Sequence, residues 1–445
     1  MDTDSLLTLI LITFILSLLY YGKVTGFITK SLIKLPNKHF SLADCLLIVC
    51  QSRLFFTPIV SHILPMPSNL QYRFSRQSHH FGQGHAPTLW QRIHIDPWLT
   101  LLLLTVCCIG LTILYSAASQ DIDMVIRQVV SYGVAFTVMV TMAQIPPSLY
   151  RTFTPIFYVL GLILLVLVDI IGEVRMGAQR WINLPGFGSV QPSEFMKLGM
   201  PMMCAWFLSK RDLPPSLASI AITLALIVVP VLLIAKEPDL GTSLLVAASG
   251  IFVLFLAGLS WRLIASAAAL AVPLVAFAWT FLLHDYQRTR VLTLFNPEAD
   301  VQGAGWNIIQ SKTAIGAGGL TGKGYLEGTQ SHLHFLPEGH TDFIIAAFSE
   351  EFGLLGVILL MFIYACLLSR ALYIAFSHPD TYSRLLAGAI AMSFFVYVFV
   401  NVGMVGGILP VVGVPLPFIS YGGTAIVTLM AGFGLLMSIH THKSG

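Results

Sequence analysis

The sequence has 445 residues, of which 56% are hydrophobic and only 10% charged, with a formal net charge of +3. Soluble domains carry about 25% charged residues, so this much apolar surface exceeds what a water-soluble core can hide and the excess must face lipid. The weak positive balance and the absence of a long basic run exclude a nucleic-acid-binding chain, and the hydrophobic content excludes a disordered one.

The first 95 residues read differently from the rest. An apolar run from Leu6 to Tyr21 follows Asp2 and Asp4 and lacks the basic start and small-residue cleavage site of a secretory signal. A second apolar stretch, 42–64, is interrupted by Gln51, Arg53 and Pro58, and residues 66–95 form a polar linker rich in Ser, Gln, His, Arg and Pro. The expected division is an N-terminal extension over 1–90 and a main unit over 91–445. Met66, between Met1 and Met124, is an alternative start of translation because every motif lies after it. An intact mass that includes residues 1–65 would refute that start.

The main unit is expected to be all-α and polytopic. A helix crosses the hydrocarbon with about 20 apolar residues. About ten such spans are predicted, over 97–117, 124–145, 152–171, 191–208, 215–235, 239–257, 261–283, 341–369, 384–408 and 419–440. Arg92, Arg151, Lys210, Arg211, Arg262, Arg370, Arg384 and Lys443 then fall on one side, which the positive-inside rule assigns to the cytoplasm together with both ends of the unit. A long extracytoplasmic loop, 284–340, joins spans seven and eight. The six cysteines lie in or beside apolar stretches without a Cys-x-x-Cys pair, and read as small buried hydrophobes.

Seven basic residues break the charge rule by lying outside: Arg175, Arg180, Lys236, Arg288, Arg290, Lys312 and Lys323. Long loops translocate regardless of charge, or these cations meet an anionic ligand; charge placement alone leaves both open. Ionisable groups inside spans default to function. Glu194 and Lys197, in Gln191-Pro192-Ser193-Glu194-Phe195-Met196-Lys197, are i,i+3 neighbours on one helix face. They form either a structural ion pair or a phosphate-facing lysine oriented by its glutamate. Pro192 suits a first helical turn, and Ser193 can bond locally there.

Within the long loop, Arg288 and Arg290 precede a glycine-rich run around Lys312 and Lys323, where glycine lets backbone approach a ligand and the cations suit phosphate. No phosphate-loop motif occurs, and His332, His334 and His340 lack the partners of a zinc site. The loop closes on Leu336-Pro337-Glu338-Gly339-His340-Thr341-Asp342-Phe343. Asp342, at a loop–span boundary, is a candidate base raised in pKa by partial desolvation, or Thr341 or Asp342 is a plain helix cap. Glu350 and Glu351 are expected to face the protein interior. Two turns, Glu237-Pro238-Asp239-Leu240-Gly241-Thr242 and Pro410 to Gly423, are non-helical near the membrane and line a cavity or simply end spans.

Several of these motifs together resemble the SEDS family of peptidoglycan glycosyltransferases, over roughly 90–442. They are Gly177-Ala178-Gln179-Arg180-Trp181-Ile182, Gln191-Pro192-Ser193-Glu194 with Lys197, Pro238-Asp239-Leu240-Gly241-Thr242, Gly328-Thr329-Gln330-Ser331, Phe335-Leu336-Pro337-Glu338 with His340-Thr341-Asp342-Phe343, and Pro415-Leu416-Pro417 with Ser420-Tyr421-Gly422-Gly423. The Arg180 motif, His284-Asp285-Tyr286-Gln287-Arg288 and the glycine-rich run look more like the elongation branch than the division branch. Asn296, Val301 and Glu237 depart from the usual pattern.

The resemblance implies polymerisation of lipid II at the outer face of the cytoplasmic (inner) membrane during cell-wall elongation and maintenance of rod shape. It also implies a class B penicillin-binding transpeptidase and other elongation proteins as partners. It gives Asp342, Glu194 and Lys197 as the catalytic set. Arg180, Trp181, Lys312, Arg288, Arg290, Lys323, Asp239, Gln330 and Ser331 are the candidate substrate and pyrophosphate contacts. A divalent cation, Mg or Mn, is the one cofactor the pyrophosphate chemistry leaves room for. The rival readings are a lipid II flippase or other transporter and a non-catalytic scaffold for a transpeptidase.

Overall fold

The computed structural model describes residues 90, 93–175, 178–184, 188–237, 239–282, 285–299, 304–329 and 338–442. The proposed extension over 1–89, with Met66, and Gln330, Ser331, His332, His334 and Lys443 lie outside the described residues.

A helix forms at each of the ten predicted spans. These are α1 (Pro97–Ala117), α2 (Ile122–Gln144), α3 (Pro147–Ile171), α4 (Pro192–Ser209), α5 (Leu217–Lys236), α6 (Leu240–Leu256) and α7 (Trp261–Phe277). After the long loop, which among the described residues carries α8 (Asp285–Phe295), a 3-10 turn (Pro297–Ala299) and α9 (Ala304–Gly318), come α10 (Ile344–Ser377), α11 (Thr381–Val405) and α12 (Gly423–Thr441). Among the described residues seven helices (α1, α2, α3, α5, α10, α11 and α12) have the length and composition to cross a membrane unaided. Glu194 and Lys197 place charges in the first turns of α4, and α6 and α7 span 17 residues each, the short end of the crossing range. Starts are chemically marked: Asp96 accepts hydrogen bonds from Trp98 N and Leu99 N at the head of α1, and Asp380 from Ser383 N at the head of α11.

The long loop is therefore partly helical. The segment before α4 is also ordered differently from a plain loop: β1 (Glu173–Arg175), β2 (Ala178–Leu184) and β3 (Gly188–Val190) make a small antiparallel sheet in sequence order, with Glu173 opposite Trp181 and Ile182 opposite Val190.

Helices α10 and α11 fill the centre, with Phe343, Tyr382, Phe394, Phe418 and Phe433 fully buried around them. Val130, Ile156, Ile163, Leu232 and Leu359 point outward, as side chains meeting lipid do. At the end assigned to the cytoplasm, the Arg370 guanidinium donates from Nε (3.0 Å) and Nη2 (2.6 Å) to the buried Asp96, with His440 3.5 Å away, tying α10 and α12 to α1. His94 stacks on His442 at 3.8 Å beside it. The opposite end gathers the sheet, the Glu237–Asp239 turn, the long loop and residues 406–422, as the charge pattern predicts.

Helix α10 is broken at Gly353, where φ is +63° and ψ −165°. The break frees the carbonyls of Glu350 and Glu351, and the amides of Lys323 and Gly324 donate to them at 3.0 and 3.1 Å. Leu354 N and Leu355 N donate in return to Gly319 O and Leu320 O. Irregular backbone at membrane depth survives only when protein satisfies it in this way. The glycine-rich run thus serves backbone packing: a Cβ on Gly322 would lie 2.0 Å from Glu351 O.

Candidate functional site

The site is organised by the non-helical segment between α11 and α12. Tyr132 and Tyr364 hydroxyls donate to Phe418 O and Pro417 O, both at 2.6 Å, and Ser420 Oγ donates to Thr341 O at 2.6 Å. Asn401 Nδ2 donates to Val414 O (2.7 Å) and to Asp342 O (2.8 Å), so one buried amide on α11 fixes both this segment and the turn that carries Asp342. Asn401 was not singled out from the sequence, although a buried amide in an apolar span is itself a signal.

Asp342 does not cap α10. Phe343 occupies the cap position without a side-chain bond, and Thr341 Oγ1 turns back to Glu338 Oε2 at 2.5 Å. The Asp342 carboxylate is instead directed at the segment, where Oδ2 would sit 3.4 Å from a Cβ on Gly413. Burial pushes its pKa up to about 6; the Glu338 carboxylate adds to the rise and Arg290 opposes it.

Two further candidates and a glycine of the 238–242 motif line the same stretch of chain. Lys312, exposed on α9, lies over Gly407, so close that a Cβ there would fall 2.7 Å from Nζ. Arg290, on α8, donates to Val411 O at 3.4 Å. Gly241, in the first turn of α6, abuts Val412 O. The same α6 is capped by Asp239, whose Oδ1 accepts from Thr242 N at 3.1 Å. Arg180, on β2, donates from Nε to Glu237 O (3.0 Å) and reaches Asp239 Oδ2 at 3.9 Å, which also accepts from Gln191 Nε2 at 3.2 Å. Lys312, Arg290, Gly241 and Asp342 therefore meet positions 407, 411, 412 and 413 in order, with the Arg180–Asp239 contact one step removed at the head of α6.

The other candidates stand apart from that line. Lys197 Nζ is 2.5 Å from Glu194 Oε1, with both side chains nearly buried, and lies 5.4 Å from the centroid of the Tyr397 ring. Tyr397 packs with Leu245, Val400 and Val414, so the pair reaches the segment through an apolar contact and does not touch Asp342. Ser193 Oγ, expected to bond locally, is buried without a partner among the described residues. Lys323 is paired with the fully buried Glu350 at 2.6 Å and donates to Thr329 Oγ1 at 2.7 Å. Glu351 is also buried and accepts from Ser116 Oγ. Arg288 Nη2 donates to Thr280 O at 3.2 Å. Trp181 is half-buried on β2.

Exchange of the buried pair separates its two readings. Glu194→Lys alone leaves cations unpaired in the span and is expected to cost about 3–5 kcal/mol. Adding Lys197→Glu should restore most of the melting temperature but not catalytic turnover; full recovery of turnover would make the pair purely structural.

The bundle and its polar end define a multi-pass membrane protein, and the sequence comparisons place its enzyme class. Residues 97–445 match the family model for FtsW, RodA and SpoVE, described as "Cell cycle protein". The chain belongs to this family, the SEDS proteins its motifs resemble. Peptidoglycan glycosyltransferase MrdB of Escherichia coli K12 is 52% identical over 356 residues, 80% of this chain and 96% of that protein. The probable peptidoglycan glycosyltransferase FtsW of Trichlorobacter lovleyi is 38% identical over 77% of this chain and 92% of its own length. Among solved structures, one on the structural coordination of polymerization and crosslinking by a peptidoglycan synthase complex matches with a TM-score of 0.69 at 31% identity, covering 78% of this chain and 98% of that one. The rod-shape-determining protein RodA of Thermus thermophilus matches with a TM-score of 0.60 at 27% identity, covering 79% and 98%. The chain is thus an enzyme of the peptidoglycan glycosyltransferase class.

Proposed function

We propose that this protein polymerises lipid II into glycan strands at the outer face of the cytoplasmic membrane during cell elongation, with both ends of its main unit in the cytoplasm. The observation that carries the reading is the placement of Asp342, Lys312 and Arg290 along residues 407–413, with the Arg180–Asp239 contact at the head of the helix whose Gly241 abuts Val412. It sets one carboxylate beside several cations at the end of the bundle where positive charge breaks the topology rule.

In the proposed reaction the 4-hydroxyl of an acceptor GlcNAc attacks the anomeric carbon of a donor MurNAc. The new C–O bond forms as the bond to pyrophosphate breaks, Asp342 takes the hydroxyl proton, and undecaprenyl pyrophosphate leaves. Inversion at the anomeric carbon needs one base, not the paired carboxylates of hydrolases. Charge that builds on the departing pyrophosphate is met by fixed cations, which cost no reorganisation as it develops. Arg290 acts on the base directly, Lys312 reaches the same segment at Gly407, and Arg180 is placed beside Asp239. Glu194 and Lys197 act as a positioning pair beneath Tyr397. Lys323, bound to Glu350, holds the break in α10. A Mg or Mn ion would arrive on the pyrophosphate, which needs only one or two protein carboxylates. Among the described residues no group of three ligating side chains would hold such an ion by itself.

A class B penicillin-binding transpeptidase is the proposed partner, supported by the likeness to a chain from a peptidoglycan synthase complex. Purified protein in vesicles with lipid II tests the reading against its rivals. Polymer is expected; translocation without polymer would make the protein a transporter, and neither activity would leave a scaffold.

A further inference from the structure

Asn401, fully buried on α11, gives both hydrogens of its amide to backbone carbonyls, Val414 O at 2.7 Å and Asp342 O at 2.8 Å. The reversed amide would set its oxygen against those two carbonyl oxygens, so the two bonds fix which way the side chain faces. Its Oδ1 is left buried with no hydrogen-bond partner among the described residues. Tyr397 stands one turn earlier on the same helix, and residues four apart share a face. Its ring packs with Val414 and lies 5.4 Å from Lys197 Nζ, which is paired with Glu194. Residue 414 is thus held twice from α11, its side chain by Tyr397 and its carbonyl by Asn401. The same amide holds the carbonyl of Asp342. One helix face therefore runs from the Glu194–Lys197 pair to the turn that carries the carboxyl.

We infer that Asn401 is a positioning residue that sets the Asp342 carboxyl in place, and that the Glu194–Lys197 pair acts on that carboxyl through the face Asn401 shares with Tyr397. The inference rests on the reading of Asp342 as the base. Asn401 acts through the backbone of residue 342, so its loss moves the carboxyl without altering its chemistry. A reacting group misplaced by about 1 Å can lose about a hundredfold in rate.

The test replaces Asn401 with Ser in the full chain. The smaller side chain leaves room for a water to satisfy the two carbonyls, so the fold is expected to hold in a melting curve. Polymerisation of lipid II should fall at least about tenfold in kcat, with KM within about twofold of wild type. In an Asp342→Asn background, where no base is left to misplace, Asn401→Ser should cost less than about twofold. A merely structural role would lower both backgrounds alike. A second measurement needs no substrate. The Tyr421 amide donates to His340 O at 3.0 Å and reports whether the Asp342 turn stays against the segment. Its hydrogen exchange should quicken at least about tenfold in Asn401→Ser while the amides of α3 keep their wild-type rate. The charge exchange Glu194→Lys with Lys197→Glu moves the cation away from Tyr397 and should quicken the same amide. Wild-type exchange at Tyr421 in Asn401→Ser, or equal rate losses in the two backgrounds, would overturn the positioning role. Quickening by Asn401→Ser but not by the charge exchange would overturn the link to the pair. Failure of the base assignment reads differently: Asp342→Asn would then polymerise lipid II normally.

Discussion

Asn in place of Asp342 should lower polymerisation of purified lipid II by at least about a hundredfold, the usual worth of a positioned general base. The amide preserves the shape of the carboxyl and cannot accept the hydroxyl proton. The fold should survive, because the contacts that fix the turn run through backbone: Asn401 to Asp342 O, Ser420 to Thr341 O, and Tyr421 N to His340 O. Stability near neutral pH should hold or rise slightly. A carboxyl held at about 6 by burial is penalised whenever it ionises, and the neutral amide escapes that penalty. The pH dependence carries the opposite sign to a stabilising ion pair. The wild-type rate should climb as pH rises through about 6, where the base loses its proton, and level off above it. A gel-based polymer assay with a melting curve on the same preparation reads all three quantities. Near-normal polymer from the Asn variant would remove Asp342 from the chemistry.

Much of the architecture can be read from composition, because lipid imposes a length and an apolar character on each crossing residue by residue. A helix overlaps every predicted span, although α10 runs on to Ser377 past the predicted end at 369 and α7 stops at Phe277 short of 283, and contacts such as Lys236 to Asp169 and Arg290 to Val411 bring the loops assigned to one side together. The site is less transparent for a physical reason. Asp342, Arg290 and Lys312 lie far apart in sequence, and what relates them is a stretch of backbone, 407–413, with no charged side chain of its own. Nothing local in Val411-Val412-Gly413 announces which side chains will lie on it. The pairing of Lys323 with Glu350 is hidden in the same way: a basic residue in a glycine-rich loop looks like a phosphate ligand until the buried carboxylate it serves is known. The small sheet over 173–190 was missed because its strands are short, and two of them span only three residues.

The break in α10 should tolerate substitution poorly, and Gly353→Ala should show it. At φ +63° and ψ −165° the residue occupies a region open essentially to glycine alone, worth about 1–3 kcal/mol of strain for any other side chain. The added methyl would also lie 2.3 Å from Gly322 N and 2.7 Å from Leu320 O, and these are backbone atoms with no rotamer to change. Their displacement would undo the bonds from Lys323 N and Gly324 N that satisfy the freed carbonyls of α10. Together these losses should exceed about 3 kcal/mol, placing the variant among severe single substitutions. Gly316→Ala is the internal comparison: it lies within α9, a Cβ there meets nothing within 4 Å, and alanine should be neutral or slightly stabilising. Activity should fall with stability in Gly353→Ala, since the first turns of α10 carry the Asp342 loop against residues 411–414. Melting both variants in the same detergent decides the matter. Equal melting temperatures would mean that α10 is a continuous helix and that the glycine-rich run has been free for a ligand after all.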